Sequence, residues 1–409
     1  MSERRFALVT GGGTAGHTVP ALAVARALLE DKPAGSIEMV GSKRGLDAKL
    51  LSGVELPVTL LGGRGFRRRM SGSAFASNLA ALVGLVGAFV SSVALVLTRR
   101  PRVVVAVGGY ACMAPSVAAA ILGVPIVVLN VDAVPGAANR LLSRIARASA
   151  VAYPGTALPR SVVTGPPVRS EILAVRSARD DATARSAARE ALGLPSEAFV
   201  VAAFGGSLGA KRINEAVLGL ADQWSGRGDV AIYHVVGNRD SEWATRAASE
   251  MSGRGRAGGG AAGGELAYVQ VSYENRMDLL YTACDMAVCR AGANTVAELT
   301  VTGTPAVLVP LPGAPGDHQN ANAKVLERNG AAVVVQDRDL EADRLAKELN
   351  AILADPGKLA QMAAASADLG KPDAARAVAE LAEKFAHHGG AGSSRGAGNS
   401  GGAGNRSAA

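Results

Sequence analysis

Short β-branched and aliphatic runs alternate with Ala/Leu-rich stretches of helical length along most of this chain, and that alternation leaves few folds open. It is the pattern of successive β-α-β units and predicts parallel strands with helices packed against them. In the first half the expected strands are residues 6–10, 37–40, 58–61, 103–107, 126–129 and 150–153. A second series begins afresh at 199–204 and continues at 230–235, 266–271, 286–289, 306–309 and 332–335. With 409 residues, two domains are expected rather than one. The fold class is therefore α/β, with two Rossmann-like, doubly wound parallel-sheet domains facing each other across a cleft. Residues 1–168 are assigned to the first domain and 169–370 to the second, with a helix at 371–386 returning to the first. A Gly-rich insertion at 252–264 and a Gly/Ser-rich tail at 387–409 cannot bury enough apolar area to order themselves. The charged stretch 169–191 reads as a linker leading into a helix, behind the rigid turn Gly165-Pro166-Pro167.

Composition narrows the partners. Hydrophobic residues make up 48% of the chain but aromatics only 4%, which suits helices on parallel sheets and not a stacking platform for bases. A nucleic-acid partner is not expected. The net charge of +8 favours phosphorylated substrates or acidic lipid headgroups. Cys112, Cys284 and Cys289 form no CxxC pair, which argues for a reducing compartment and against zinc. The opening MSERRFALVT enters a strand directly, with no secretory pattern, so a cytoplasmic chain is expected.

Glycine loops follow several strands. Gly11-Gly12-Gly13-Thr14-Ala15-Gly16-His17 contains G-x-G-x-x-G and opens a helix, so its backbone can approach an anion. A short-chain dehydrogenase would also need a Tyr with a Lys four residues on. Tyr110, Tyr153, Tyr233, Tyr268, Tyr273 and Tyr281 are followed at that distance by Ala, Ala, Gly, Ser, Met and Asp. That class is set aside. Gly108-Gly109 and Gly205-Gly206-Ser207-Leu208-Gly209 occupy the same position after their own strands, which favours a diphosphate cleft between two lobes over a set of unrelated tight turns. The segment from Cys289 to Asn322 is the most specific. Gly292 and Ala293 allow close backbone approach, Thr295 falls in a first helical turn, and Glu298 offers either a carboxylate for ribose hydroxyls or a capping group. Gln319 and Asn322 share a helical face suited to sugar hydroxyls.

Together GGGTAGHTVPALAVA, GGYACMAP, GGSLGAKRIN and CRAGANTVAELTVTGTPAVLVPLPGAPGDHQNANA resemble the MurG family, the undecaprenyl-diphospho-muramoylpentapeptide β-N-acetylglucosaminyltransferases of peptidoglycan synthesis. The resemblance implies the GT-B fold, UDP-N-acetylglucosamine (UDP-GlcNAc) as donor, a lipid-linked muramoyl-pentapeptide acceptor, inversion at the anomeric carbon, and no cofactor or essential bound metal. It also implies that Thr14, Ala15 and Gly16 line the donor sugar and diphosphate, with His17 beside them. Ser207 would touch the diphosphate, Ala293, Asn294, Thr295 and Glu298 the uridine and phosphates, Gln319 the sugar hydroxyls, and Arg169 the donor. Two departures bear on the cleft. The family's H-E-x-N-x-x-x-G is here Leu129-Asn130-Val131-Asp132-Ala133-Val134-Pro135-Gly136, with Asp132 at the Asn position, and Leu208 replaces a Gln. Another UDP-sugar glycolipid transferase, or a sugar-binding subunit without chemistry, stays open as an alternative.

The acceptor hydroxyl must lose a proton, and His17 or Asp132 is the expected base. Asp337-Arg338-Asp339 is a literal D-x-D, but it follows the last strand, away from the glycine loops, and no metal site is assigned to it. Residues 71–98 carry no charge and lie between Arg64, Arg67, Arg68, Arg69 and Arg99, Arg100. A span there would split the first sheet across the bilayer. The alternatives are an in-plane helix or hairpin on an anionic membrane surface, with Leu82, Val86 and Phe89 toward lipid, or a helix buried against the sheet. The resulting expectation is a peripheral protein on the cytoplasmic face of the cell membrane.

Overall fold

The computed structural model describes residues 4–43, 47–62, 72–206, 209–252 and 264–386. The first lobe runs β1 (Ala7–Gly11), α1 (Ala15–Leu29), β2 (Ile37–Ser42), α2 (Asp47–Leu50), β3 (Val58–Leu61), α3 (Gly72–Arg99), β4 (Val103–Gly108), α4 (Met113–Ile121), β5 (Ile126–Asn130), α5 (Ala137–Leu142), β6 (Ala148–Val151) and β7 (Ser161–Val163). The second opens with α6 (Ser170–Leu173), α7 (Val175–Asp180) and α8 (Ala182–Ala191). It continues with β8 (Phe199–Phe204), α9 (Lys211–Gln223), β9 (Val230–Val235), α10 (Ser241–Ser252), β10 (Ala267–Val271), α11 (Met277–Ala283), β11 (Met286–Cys289), α12 (Ala293–Thr302), β12 (Ala306–Leu308), α13 (His318–Arg328) and β13 (Ala332–Val334). Three helices close the chain: α14 (Ala342–Leu353), α15 (Pro356–Leu369) and α16 (Ala374–Phe385).

The first sheet is ordered β3-β2-β1-β4-β5-β6-β7 and the second β10-β9-β8-β11-β12-β13, every pairing parallel. The order reverses beside β1 in one lobe and beside β8 in the other. At such a reversal neighbouring helices lie on opposite faces and leave a crevice at the carboxyl ends of the strands. Strand β7 was not expected: it is an exposed edge strand, too short to carry a pattern. The stretch 169–191 does lead into a helix, α8, but the part read as a linker folds as two further helices, α6 and α7. Asp181 caps α8 by accepting from Thr183 N at 2.8 Å, and Arg185 and Arg189 fasten the helix to Asp285 at 2.6 and 2.9 Å.

Two helices decide how the first lobe meets its surroundings. On one face of its sheet, α16 lies on α1, with Val378, Ala379 and Ala382 buried among Ala21, Val24 and Leu28. Arg376 with Asp31, at 2.9 Å, and Lys32 with Glu383 rim that contact. On the other face, α3 packs Leu95 and Val96 into the core, with Phe89 and Val93 beside them. Phe89 therefore turns inward, contrary to expectation. Val86, Val90 and Leu97 point outward, 56, 61 and 54% exposed. The side chain of Leu82, the arginines at 64 and 67–69, the 253–263 part of the insertion and the tail lie outside the described residues. Among the described residues, no helix is long and apolar enough to cross a membrane.

Candidate functional site

The first-lobe wall is built where two glycine loops touch. The β1–β4 register shifts at Thr10/Gly11, which sets Gly11 opposite Gly108. Gly108 and Gly109 have φ of 113° and 76°, and a Cβ on Gly109 would lie 2.2 Å from the Gly12 carbonyl oxygen. No L side chain fits there. Asp47 holds the loop from below: its buried carboxylate accepts from Gly13 N at 2.8 Å, Ser42 N at 2.8 Å and Thr18 Oγ1 at 2.7 Å. The tyrosine of GGY caps the loop from above, its hydroxyl 2.5 Å from Ser42 Oγ. His17, in the first turn of α1, lies against Gly108, and its Nδ1 is 3.1 Å from Thr14 Oγ1. Burial lowers its pKa, while Asp132 and Asp47 pull it the other way.

The remaining wall of the first lobe departs from the resemblance, and the structure supplies what replaces the missing pair. Asn130 Nδ2 donates to the Asp132 carbonyl at 2.6 Å, and Asn139 Nδ2 donates to Asn130 Oδ1 at 3.1 Å. This amide ladder fixes the β5 turn that carries Asp132.

Across the cleft, β11 ends at Cys289, and Gly292 caps α12 in extended backbone. The first-turn amides of α12 face the end of the sheet, as an anion site requires. Asn294 Nδ2 reaches over to the Ala15 carbonyl at 3.1 Å, so this helix and the first glycine loop are in direct contact. Glu298 is 7% exposed, and both its oxygens are engaged, by Arg169 Nη2 at 3.0 Å and Tyr281 OH at 3.2 Å. Burial raises its pKa, against the pull of Arg169. Gln319 Oε1 accepts from Leu311 N at 2.9 Å. Asn322, grouped with it from the sequence, is instead a bolt between the lobes: it donates to Asp132 Oδ1 at 2.9 Å and accepts from Ala133 N at 2.8 Å. Asp337 pairs with Arg290 at 2.6 Å, and among the described residues no cluster suits a metal ion. Ser207 and Leu208 lie outside the described residues.

Thr14, Ala15, Gly16, His17, Asp132, Ala293, Asn294 and Thr295 thus converge on one cleft, with Gln319 at its second-lobe rim. Arg169, at the start of α6, and Glu298, on α12, pair with each other. Asp47 was missed, although an acid opening the helix that follows β2, the neighbour of a strand with a glycine loop, was a usable signal.

The two lobes match the models of the glycosyltransferase family 28 N-terminal domain at residues 7–151 and C-terminal domain at residues 200–378. The chain belongs to glycosyltransferase family 28. A relative from Desulforudis audaxviator (strain MP104C) is 36% identical over 387 residues, covering 93% of this chain and 99% of its own. Another, from Mycobacterium sp. (strain KMS), is 38% identical over 388 residues, covering 94% and 97%. Both are named UDP-N-acetylglucosamine–N-acetylmuramyl-(pentapeptide) pyrophosphoryl-undecaprenol N-acetylglucosamine transferase. Among solved structures, MurG of Acinetobacter baumannii superposes with a TM-score of 0.69 at 26% identity, covering 92% of this chain and 99% of that one. A UDP-GlcNAc 2-epimerase from Neisseria meningitidis, at 12% identity and a TM-score of 0.62, shares the fold. The cleft of this family 28 chain lies between its two matched segments, where the glycine loops meet.

Proposed function

We propose that this cleft binds UDP-GlcNAc and that the chain transfers its sugar to the C4 hydroxyl of a lipid-linked muramoyl-pentapeptide diphosphate, a step of peptidoglycan synthesis. The observation that carries this reading is the extent of the named relatives: 36–38% identity across more than nine-tenths of both chains, lobes and cleft included.

The acceptor O4 attacks the anomeric carbon from the face opposite the diphosphate. The O4–C1 bond forms, the C1–O bond to UDP breaks, the configuration inverts, and the hydroxyl proton passes to a base. His17 is the base, with Asp132 as its rival. Its lowered pKa leaves the imidazole neutral and ready to accept a proton at neutral pH. The leaving diphosphate gains charge as it departs. Amides of the first turn of α12 are fixed donors for that charge, already oriented before reaction, and the first glycine loop lies against them through the Asn294–Ala15 contact. Glu298 and Arg169 belong to the uridine and ribose end, Thr295 and Ser207 to the phosphates, and Gln319 to the sugar hydroxyls.

The acceptor's lipid tail requires a membrane-facing surface, and the outward row Val86, Val90 and Leu97 on α3 supports docking on a membrane, whose cytoplasmic face is the proposed side. The deciding assay uses purified protein, UDP-GlcNAc labelled in the sugar, and lipid-linked muramoyl-pentapeptide. Label appearing in the acceptor lipid is the expected result. Label appearing only in a diacylglycerol fraction would move the chain to another acceptor class, and UDP binding without transfer would make it a sugar-binding protein.

A further inference from the structure

The amide ladder behind the β5 turn has a direction, and that direction leaves one oxygen over. Asn139 Nδ2, on α5, donates to the Leu129 carbonyl at 3.0 Å and to Asn130 Oδ1 at 3.1 Å, while Asn130 Nδ2 donates to the Asp132 carbonyl at 2.6 Å. Backbone carbonyls only accept, so neither amide can be flipped without losing its bonds. Asn139 is 4% exposed, and its Oδ1 is buried with no hydrogen-bond partner among the described residues. A buried acceptor without a donor is unfavourable, and a catalytic site is one of the few places where a fold keeps one.

The spare oxygen borders the ring of His17. A Cβ built on Gly108 would lie 2.8 Å from His17 Cδ2, 3.1 Å from its Nε2 and 3.3 Å from Asn139 Oδ1, so the ring edge and the oxygen share one space over a glycine. A side chain at 108 would fill it. On the ring's other nitrogen, Thr14 Oγ1 lies 3.1 Å from Nδ1. A hydroxyl both donates and accepts, so Thr14 does not choose which nitrogen carries the proton. A carbonyl oxygen, which only accepts, does.

We propose that Asn139 is a positioning residue for His17: its Oδ1 accepts from Nε2–H and so leaves Nδ1, beside Thr14, as the atom that takes the acceptor's proton. The inference rests on the reading of His17 as the base. As the O4–C1 bond forms, the hydroxyl proton passes to Nδ1 and the ring becomes an imidazolium. The Nε2 proton stays in place, and Asn139 Oδ1 accepts from it more strongly once the ring is charged. Asp132, in the turn after β5, and Asp47, on α2, favour that charge, and His318, on α13, opposes it. Arg140, the next residue of α5, turns instead to the Pro135 carbonyl, and Tyr110 keeps its hydroxyl on Ser42. A neutral oxygen orients the base without setting another carboxylate beside an anionic donor.

The test reads the imidazole directly. The full chain is labelled with nitrogen-15 histidine, five residues in all, and the His17 signals are assigned by their loss in His17→Gln. Ring nitrogen shifts followed against pH report tautomer and pKa together, and the pH profile of kcat is recorded alongside. In wild type the neutral ring should carry its proton on Nε2. In Asn139→Leu that preference should be lost, and the His17 pKa and the acid limb of kcat should fall together. Its plateau kcat should drop by roughly tenfold or more with UDP affinity kept. Asn139→Asp places an acceptor there again, and should return the proton to Nε2 and carry the limb to higher pH. A wild-type ring protonated on Nδ1, or a lower Tm in Asn139→Leu with tautomer and limb unmoved, would overturn the proposal. The expected tautomer with full turnover in His17→Gln would overturn the base reading alone.

Discussion

His17 stands at the meeting of two glycine loops with carboxylates on two sides, and its role can be read from a pH profile. His17→Ala should lower kcat by about 10²–10⁴ with UDP affinity kept. If Asp132→Asn produces that loss and His17→Ala does not, the base is Asp132. The acid limb of the wild-type profile should lie below the usual imidazole value, because burial lowers the His17 pKa. Asp47 acts through the loop and through charge. Asp47→Asn removes an anion that favours protonated His17, so the acid limb should move to still lower pH, a shift that a purely structural role would not give. An unmoved or raised limb would uncouple Asp47 from the base. Glu298 poses a different question, since its partners here are Arg169 and Tyr281. Glu298→Ala should weaken UDP by about 1–3 kcal/mol in calorimetry, as for a lost buried partner. A fall in Tm with UDP affinity unchanged would make the Arg169 pair structural.

At the scale of elements, the row on α3 is a docking surface only if it can be cut without unfolding the lobe. Val86→Ser/Val90→Ser/Leu97→Ser changes exposed positions, so vesicle flotation should be lost while Tm and UDP binding hold. Unfolding of the variant, or intact flotation, would place docking elsewhere. Between β9 and α9, His234 is fully buried, its Nε2 3.0 Å from Asn214 Oδ1 and its Nδ1 2.8 Å from Tyr268 OH. Burial holds its pKa down to about 3, so the unfolded chain takes up a proton on acidification before the folded one does. That contribution to stability is full above about pH 6.5 and is lost as pH falls toward 3, with a slope approaching about 1.4 kcal/mol per pH unit. Denaturant titrations from pH 7 to 4 should fall more steeply for wild type than for His234→Gln. Equal slopes would mean that His234 does not titrate on unfolding. The strands were legible because buried parallel strands leave continuous apolar runs, as at β8, β9 and β11, whose limits match the sequence reading residue for residue. The edge strand β7 was not, because its exposed residues are chosen by no core. The charged composition of 169–181 hid α6 and α7 as a linker.

In the whole molecule, what could not be read from sequence is the set of contacts between lobes. The motif residues were identifiable one at a time, but nothing local foretold that Asn322 would bond Asp132 or that Asn294 would bond Ala15. These few polar contacts hold the cleft walls together. Asn322→Ala should raise the radius of gyration of the substrate-free protein in solution scattering and lower kcat/KM, with UDP binding retained. An unchanged radius would show that other contacts set the closure. The return of α16 onto α1 has a further consequence, which concerns the order in which the chain is made. The surface that α16 covers belongs to the first helix to leave the ribosome, while α16 itself is among the last segments to emerge. Until then Ala21, Val24 and Leu28 lack their final cover, and the first lobe cannot complete its core during synthesis. The second lobe carries no such debt to distant sequence within its own sheet. The half of the molecule that is translated first is therefore the half that finishes folding last, and a nascent chain arrested before residue 374 should present an unfinished apolar face to chaperones.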